Sequence, residues 1–149
     1  MERTIYEAVG GYDALLRLAQ AWHEHCLADP VASHPFDHAG QHPDHLARLA
    51  SYWAEALGGP PAYTEAMGDQ SHVLRLHSGN GEHQELDDRA IACFDAALGD
   101  ADLPDDARLH DTLRAYFRWG TALMATHPET PGDVPAGLPL PKWSWDGVV

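Results

Sequence analysis

The chain is poor in basic residues: nine lysines and arginines stand against 23 aspartates and glutamates, for a formal net charge of −14 at pH 7. Nucleic acids and anionic membrane surfaces both attract lysine and arginine. The charge balance therefore argues against both as partners. The acidic residues are scattered along the chain, so they indicate a solvated surface rather than an acidic disordered tail.

Long apolar runs are also missing. No run of about 18 apolar residues occurs, and the first five residues lack the apolar core of a signal peptide. We therefore expect a cytoplasmic protein with no membrane association. The 149 residues are enough for one domain with a hydrophobic core and too few for two.

Cysteine is scarce, whereas histidine is abundant. Cys26 and Cys93 fall on predicted apolar helix faces and follow no metal-ligand spacing, so two buried free thiols are favoured over a disulfide. The 11 histidines point to metal or cofactor chemistry without specifying it.

Apolar spacing predicts helices over residues 4–9, 12–28, 43–57, 82–98 and 104–125, and a short helical stretch that ends at His77. Thr4 and Glu7 have the spacing of a capping box. Pro43 suits the first position of its helix, and Gly99 suits a helix end. No segment alternates with period two, so no strand is expected. Five prolines exclude a helix after His127, and two tryptophans there suggest that this tail docks on the domain.

The segment around His77 carries the clearest chemical signal. Val73 and Leu74 lie four and three residues before His77, so they share its helical face. The following Ser-Gly-Asn-Gly run ends the helix and reverses the chain. A metal or a haem iron needs an imidazole held this way, with its other ring nitrogen tied to a nearby carbonyl or carboxylate. An ordinary histidine at a helix C-terminus is the alternative.

In the order of its parts the chain resembles the truncated haemoglobins, small bacterial globins with a two-over-two helical sandwich. The details are nearest to the group II branch and its actinobacterial relatives. The resemblance covers residues 4–125. It rests on the pair Gly10-Gly11, the corner Ala28-Asp29-Pro30-Val31, Phe36, the string from Tyr52 to Pro60, and Leu76-His77. It implies an all-α globin-like sandwich over residues 1–126 and a docked, non-helical Pro- and Trp-containing extension over residues 127–149.

The resemblance implies haem b (iron protoporphyrin IX) as the cofactor and His77 as the proximal iron ligand. His45 matches the distal position near the start of the distal helix, and Leu49 the apolar residue one turn later. Arg75 is a candidate partner for a haem propionate, with a solvated surface arginine as the alternative. The predicted haem contacts are Phe36, His45, Leu49, Tyr52, Arg75 and His77.

Two distal positions depart from the family pattern. His23 stands where the family usually keeps a tyrosine that donates to bound oxygen, next to the expected aromatic Trp22. Ala90 stands where group II members keep a tryptophan that also donates to the ligand. Either His23 or His45 can donate a ring N–H to bound dioxygen, and either can bind the iron as a sixth ligand. The sequence leaves both roles open.

The resemblance implies a protein that binds dioxygen, carbon monoxide or nitric oxide at a histidine-ligated iron, with oxygen transport as one use. It does not indicate a dedicated enzyme, because no catalytic motif beyond the haem site is visible. The alternative is a haem-dependent redox protein for nitric oxide dioxygenation or peroxide chemistry, with a reductase as partner. A monomer or a homodimer fits both.

Two interpretations do without haem. His34, His38, His42 and His45 crowd one connection, as a non-haem metal site would require. Prolines interrupt that stretch, however, and the Glu-x-x-His spacing of di-iron bundles is missing. Exposed histidines that bind zinc or nickel weakly are the expected explanation. A cofactor-free helical interaction domain is the second interpretation, and it leaves the His77 turn without a reason.

Overall fold

The computed structural model describes residues 2–36, 43–79, 81 and 83–149. In these parts the regular secondary structure is helical apart from one small hairpin. The α-helices are α1 (Ile5–Val9), α2 (Gly11–Ala28), α3 (His45–Ala56), α4 (Ala62–Ala66), α5 (Gln70–Leu76), α6 (Gln84–Asp100) and α7 (Ala107–Met124). Two short 3-10 turns cover His34–Phe36 and Pro131–Asp133, and the hairpin pairs β1 (Trp143–Ser144) with β2 (Gly147–Val148).

The four long helices pack on one another in the order α3, α2, α6, α7. α2 packs on both α3 and α6, and α6 packs on α7. Aromatic rings fill the centre: Phe94 stacks on Phe117 at a centroid distance of 4.1 Å, and Trp53 meets Phe94 edge-on at 5.8 Å. The predicted apolar stripes supply this core, since Leu15, Leu113 and their neighbours on α2 and α7 are buried. The predicted all-α, globin-like fold is confirmed.

Local signals set most helix ends. Thr4 accepts from the backbone N–H of Glu7, and the Glu7 carboxylate accepts from the N–H of Thr4, so the predicted capping box is present. Pro43 is not the first residue of α3: that helix begins at His45. The last helix likewise begins three residues after Pro104, because the Asp106 side chain caps it by accepting from Leu109.

Three further details differ from the sequence prediction. α6 runs through Gly99 to Asp100, because the buried Ala97 and Ala101 stay on one face and the Ala101 N–H bonds to the Ala97 carbonyl. Its predicted start at Glu82 lies outside the described residues. α4 and the hairpin were not predicted, since elements of five and two residues are too short to show a period.

Gly58 and Gly59 bring the end of α3 against the N-terminus. Gly58 has φ +102°, and a Cβ on Gly59 would lie 2.7 Å from the Ala54 carbonyl oxygen and 2.8 Å from the Tyr6 ring. The Tyr6 N–H can then donate to the Leu57 carbonyl at 2.9 Å. Glycine is needed at residue 58 for the positive φ, and at residue 59 because any side chain would collide with Ala54 and Tyr6.

The tail crosses the outside of the helices. Trp143 packs beside Tyr116 and Trp119 of α7, at ring distances of 5.9 and 5.1 Å. The Trp145 indole N–H donates to the Arg3 carbonyl at 2.6 Å, and the Arg108 guanidinium lies 4.6 Å from the Trp145 ring. None of the helices in the described ranges has the length and apolar character needed to cross a membrane. The cytoplasmic location stays a prediction.

Candidate functional site

His77 follows the last residue of α5 and caps that helix with its backbone N–H. Its ring Nδ1 lies 2.9 Å from the Val73 carbonyl oxygen. A carbonyl only accepts, so this contact places the ring proton on Nδ1 and the lone pair on Nε2. The sequence prediction of a carbonyl partner for one ring nitrogen is met by Val73, one turn earlier on the same helix.

The surroundings keep the His77 ring neutral. Burial lowers the pKa of His77 below its ordinary value, against the opposing effect of the Val73 hydrogen bond. The residue is nevertheless accessible. A neutral imidazole whose Nδ1–H is bonded to a carbonyl, with its Nε2 lone pair available, is the form that binds a metal.

The two predicted distal histidines and the predicted haem contact Phe36 come together from three elements. His23 of α2 lies with its ring centroid 4.8 Å from that of Phe36, in the first 3-10 turn, and 5.1 Å from that of His45 at the start of α3. Phe36 and His45 are 6.1 Å apart. We refer to His23, Phe36 and His45 as the distal ring cluster.

Within this cluster, the surroundings of His23 favour its neutral form. Burial, and then the neighbouring His45, lower the pKa of His23. A neutral histidine carries one N–H donor and one lone pair. His23 can therefore serve as a donor or as a metal ligand, which are the two roles that the sequence left open.

Trp22 occupies the contact between α2 and α6. Its indole N–H donates to the Ala90 carbonyl at 3.1 Å, and its ring meets Phe36 and Phe117 edge-on, each at 5.8 Å. The indole proton is thus donated within the protein, a contact that the residue types alone could not predict.

The remaining predicted contacts lie on two helices, Leu49 and Tyr52 on α3 and Arg75 on α5. Tyr52 is buried, donates its hydroxyl to Gln70 Oε1 at 2.7 Å and packs on Tyr63. Burial raises the pKa of Tyr52, so this hydroxyl stays protonated. Leu49 borders the main core, and Arg75 is exposed and donates to the Val134 carbonyl. Their roles as haem contacts stay predictions.

The alternative metal site finds no support in the described part of the chain. No group of three or more histidine, cysteine or acidic side chains there is placed to hold a metal ion. His38 and His42 lie outside the described residues, and so does the side chain of His34. Cys26 and Cys93 are both buried, with free thiols.

Comparison with known proteins defines the class. A model of the bacterial-like globin family matches residues 4–117, so the chain belongs to the bacterial-like globins. A comparison with curated proteins found no match. A thermostable haemoglobin from the actinobacterium Thermobifida fusca is 32% identical, with a TM-score of 0.68 over 85% of this chain and 100% of its own.

Group II proteins share the fold. The group II 2-on-2 haemoglobin from the plant pathogen Agrobacterium tumefaciens is 25% identical, with a TM-score of 0.69 over 83% of this chain and 94% of its own. The group II truncated haemoglobin from Bacillus anthracis is 18% identical, with a TM-score of 0.72 over 90% of this chain and 99% of its own. The predicted resemblance to truncated haemoglobins is confirmed, and membership of a globin family implies a haem cofactor.

Proposed function

We propose that this globin binds haem b through His77 and reversibly binds a diatomic gas, dioxygen above all, at the haem iron. The observation that carries the proposal is the hydrogen bond between His77 Nδ1 and the Val73 carbonyl. It fixes the tautomer and the ring orientation of a histidine whose Nε2 remains available. When bound, the haem iron supplies the coordination position at which a diatomic ligand is held.

His77 is suited to hold the iron near neutral pH. Its lowered pKa keeps the ring deprotonated at Nε2, so a proton does not compete with the metal. Val73 and Leu74 are buried beside it and anchor the helix that carries it. We assign His77 as the proximal ligand on these grounds.

The distal ring cluster would act on the gas ligand. Phe36 presents an apolar ring for packing against the porphyrin, and His23 and His45 offer the N–H or the lone pair. We assign Leu49, Tyr52 and Arg75 as further haem contacts on the resemblance alone.

The test is an absorption spectrum of protein expressed with added haem. We expect an intense Soret band between about 400 and 430 nm that shifts on reduction and on addition of carbon monoxide, as for a histidine-ligated haem. His77→Ala should lose most of its haem. His72→Ala is the matched control, because His72 is an exposed histidine of the same helix. Equal haem content in His77→Ala and His72→Ala would contradict the assignment.

A redox role is the second candidate. The 5.1 Å spacing of the His23 and His45 rings favours it, since two adjacent imidazoles can pass a proton between them. Nitric oxide dioxygenation or peroxide reduction of this kind needs electrons from a reductase. Rapid nitric oxide consumption by the oxygenated protein, slowed in His23→Ala, would support this role over simple ligand storage.

A further inference from the structure

The beginning of α5 is bonded to the C-terminal tail. The Gln70 N–H donates to the Leu138 carbonyl at 3.0 Å. The Ser71 hydroxyl donates to the Pro135 carbonyl at 2.5 Å and accepts from the Leu138 N–H at 2.9 Å. Ser71 has no exposed surface. Its single hydroxyl therefore joins α5 to two tail residues where no water can replace them.

The turn after His77 is bonded to the same tail. The Gly79 N–H donates to the His127 carbonyl at 3.1 Å, and the Gly81 N–H to the Pro128 carbonyl at 2.8 Å. A Cβ on Gly79 would lie 2.9 Å from Pro131 Cδ, so the two segments are in close contact. The chain on both sides of His77 is thus held by residues 127–138.

The tail is in turn fixed to the rest of the domain. Lys142, the one lysine in the sequence, lies with Nζ 3.3 Å from Glu55 Oε2 and 3.4 Å from the Glu55 carbonyl oxygen. Glu55 is 2% exposed and also accepts from the backbone N–H and the hydroxyl of Thr64. The tail therefore spans from α5 to α3, α7 and the N-terminus.

A helix as short as α5 depends on such support. Its seven residues make two turns, and isolated helices of fewer than about 12 residues are marginal in water. Hydrogen bonds from outside are needed to order the helix and, with it, the Val73 carbonyl that orients the His77 ring. The family match ends at residue 117, before the tail begins.

We propose that residues 127–149 act as a strap that holds α5 and the following turn, with Ser71 as the residue through which the strap positions the His77 imidazole. Ser71 is a positioning residue, since it acts through the helix and touches neither ring nor cofactor. The inference rests on the proposed function only in so far as His77 binds iron. It extends that function by adding a support from outside the matched globin segment.

The test compares Ser71→Ala with Ser144→Ala in the full chain. Ser144 also belongs to the strap, and its hydroxyl bonds to the Gly147 carbonyl within the hairpin. In haem-free protein we expect backbone amides of α5 to exchange with deuterium about ten-fold faster in Ser71→Ala, with amides of α2 and α7 unchanged. The His77 Nδ1–H proton signal should weaken in the same variant. Equal exchange in Ser71→Ala and Ser144→Ala would overturn the strap.

The haem-loaded protein tests positioning separately. We expect Ser71→Ala to lose haem about ten-fold faster to an acceptor globin and to shift the iron–histidine stretching band in its resonance Raman spectrum. Faster exchange in α5 with an unchanged band and haem loss would overturn the positioning of His77. Failure of wild type to bind haem would contradict the proposed function alone, because exchange in the haem-free protein still decides whether the strap holds α5.

Discussion

The proximal and distal sides of the candidate site are built in opposite ways. His77 stands at the end of a two-turn helix whose hydrogen bonds reach a tail more than 50 residues further along the chain. In the distal ring cluster, rings from three elements pack on one another, with His23 on a helix of 18 residues and His45 opening one of 12. Directional hydrogen bonds fix one orientation, whereas ring contacts tolerate exchange of rings of similar size. The proximal side should therefore be sensitive to distant substitutions and the distal side to local ones.

Among the substitutions that should leave haem bound, removal of one distal histidine should have the largest effect. If the ferric protein is low-spin, we expect that spectrum to vanish in one of His23→Ala and His45→Ala, which identifies the sixth ligand. If it is high-spin, the dioxygen dissociation rate should rise about ten-fold in the variant that loses the donor, since a hydrogen bond contributes about 1.4 kcal/mol. Absorption spectra and stopped-flow kinetics check both. Unchanged spectra and rates in both variants would contradict a distal role for either residue.

Lys142→Met should have a smaller effect, and on stability rather than on ligand binding. Burial disfavours the Glu55 carboxylate, but bonds from Thr64 and Lys142 outweigh it and hold the pKa of Glu55 below its usual range. Because Lys142 is half exposed, we expect a loss of about 1 kcal/mol in the free energy of unfolding at pH 7, measured in urea.

The pH dependence of that difference has a defined sign. A carboxyl group whose pKa is lower in the folded state stabilises the fold above its unfolded pKa, here about 4.5, and the stabilisation disappears as pH falls further. The difference between wild type and Lys142→Met should therefore shrink below about pH 4.5. Arg114→Met is the control, since Arg114 pairs with Asp111 and Asp95, both of which keep solvent contact, and its loss should cost less than about 0.5 kcal/mol. A constant difference down to pH 3 would contradict the Glu55 pairing.

The smallest expected effect concerns the contact of α2 with α6 behind the distal ring cluster. Burial, followed by the neighbouring thiol, raises the pKa of Cys26, and burial raises that of Cys93. Both thiols should therefore stay unreactive toward a chromogenic disulfide reagent in the native protein and react in urea. Ser71→Ala should leave this protection intact, because the strap contacts the other side of the site. Fast labelling of the two thiols in native Ser71→Ala would contradict the independence of the proximal and distal sides.

Most of the fold could be predicted from the sequence, since long apolar stripes fix α2, α3, α6 and α7. The capping box at Thr4 was equally readable. The first residue of α3 was not, because Pro43 fits a helix start as well as His45 does and only the packed structure decides. α4 and the hairpin are too short for any pattern to predict them.

The candidate site also has some features that could be predicted from the sequence and others that could not. His77 could be proposed as an iron ligand because an apolar helix end followed by glycines is a local signal, and the carbonyl that accepts from its ring lies one turn away. Ser71 gave no signal, because it is one serine whose partners are backbone groups far along the chain. The Trp22 bond to the Ala90 carbonyl was invisible for the same reason. Long-range bonds to backbone atoms leave no trace in residue types.

The contact between Gly79 and Pro131 also has a consequence for biosynthesis. A ribosome makes the chain from residue 1, so His77 is synthesised well before the residues that bond to its helix and turn. The hydrogen-bond partners of Ser71 are 64 and 67 positions further along the chain. Contacts that close a loop of that length form late in folding. In a nascent chain the helices of the globin core should therefore pack first. The strap should support α5 and His77 only once residue 138 has left the exit tunnel.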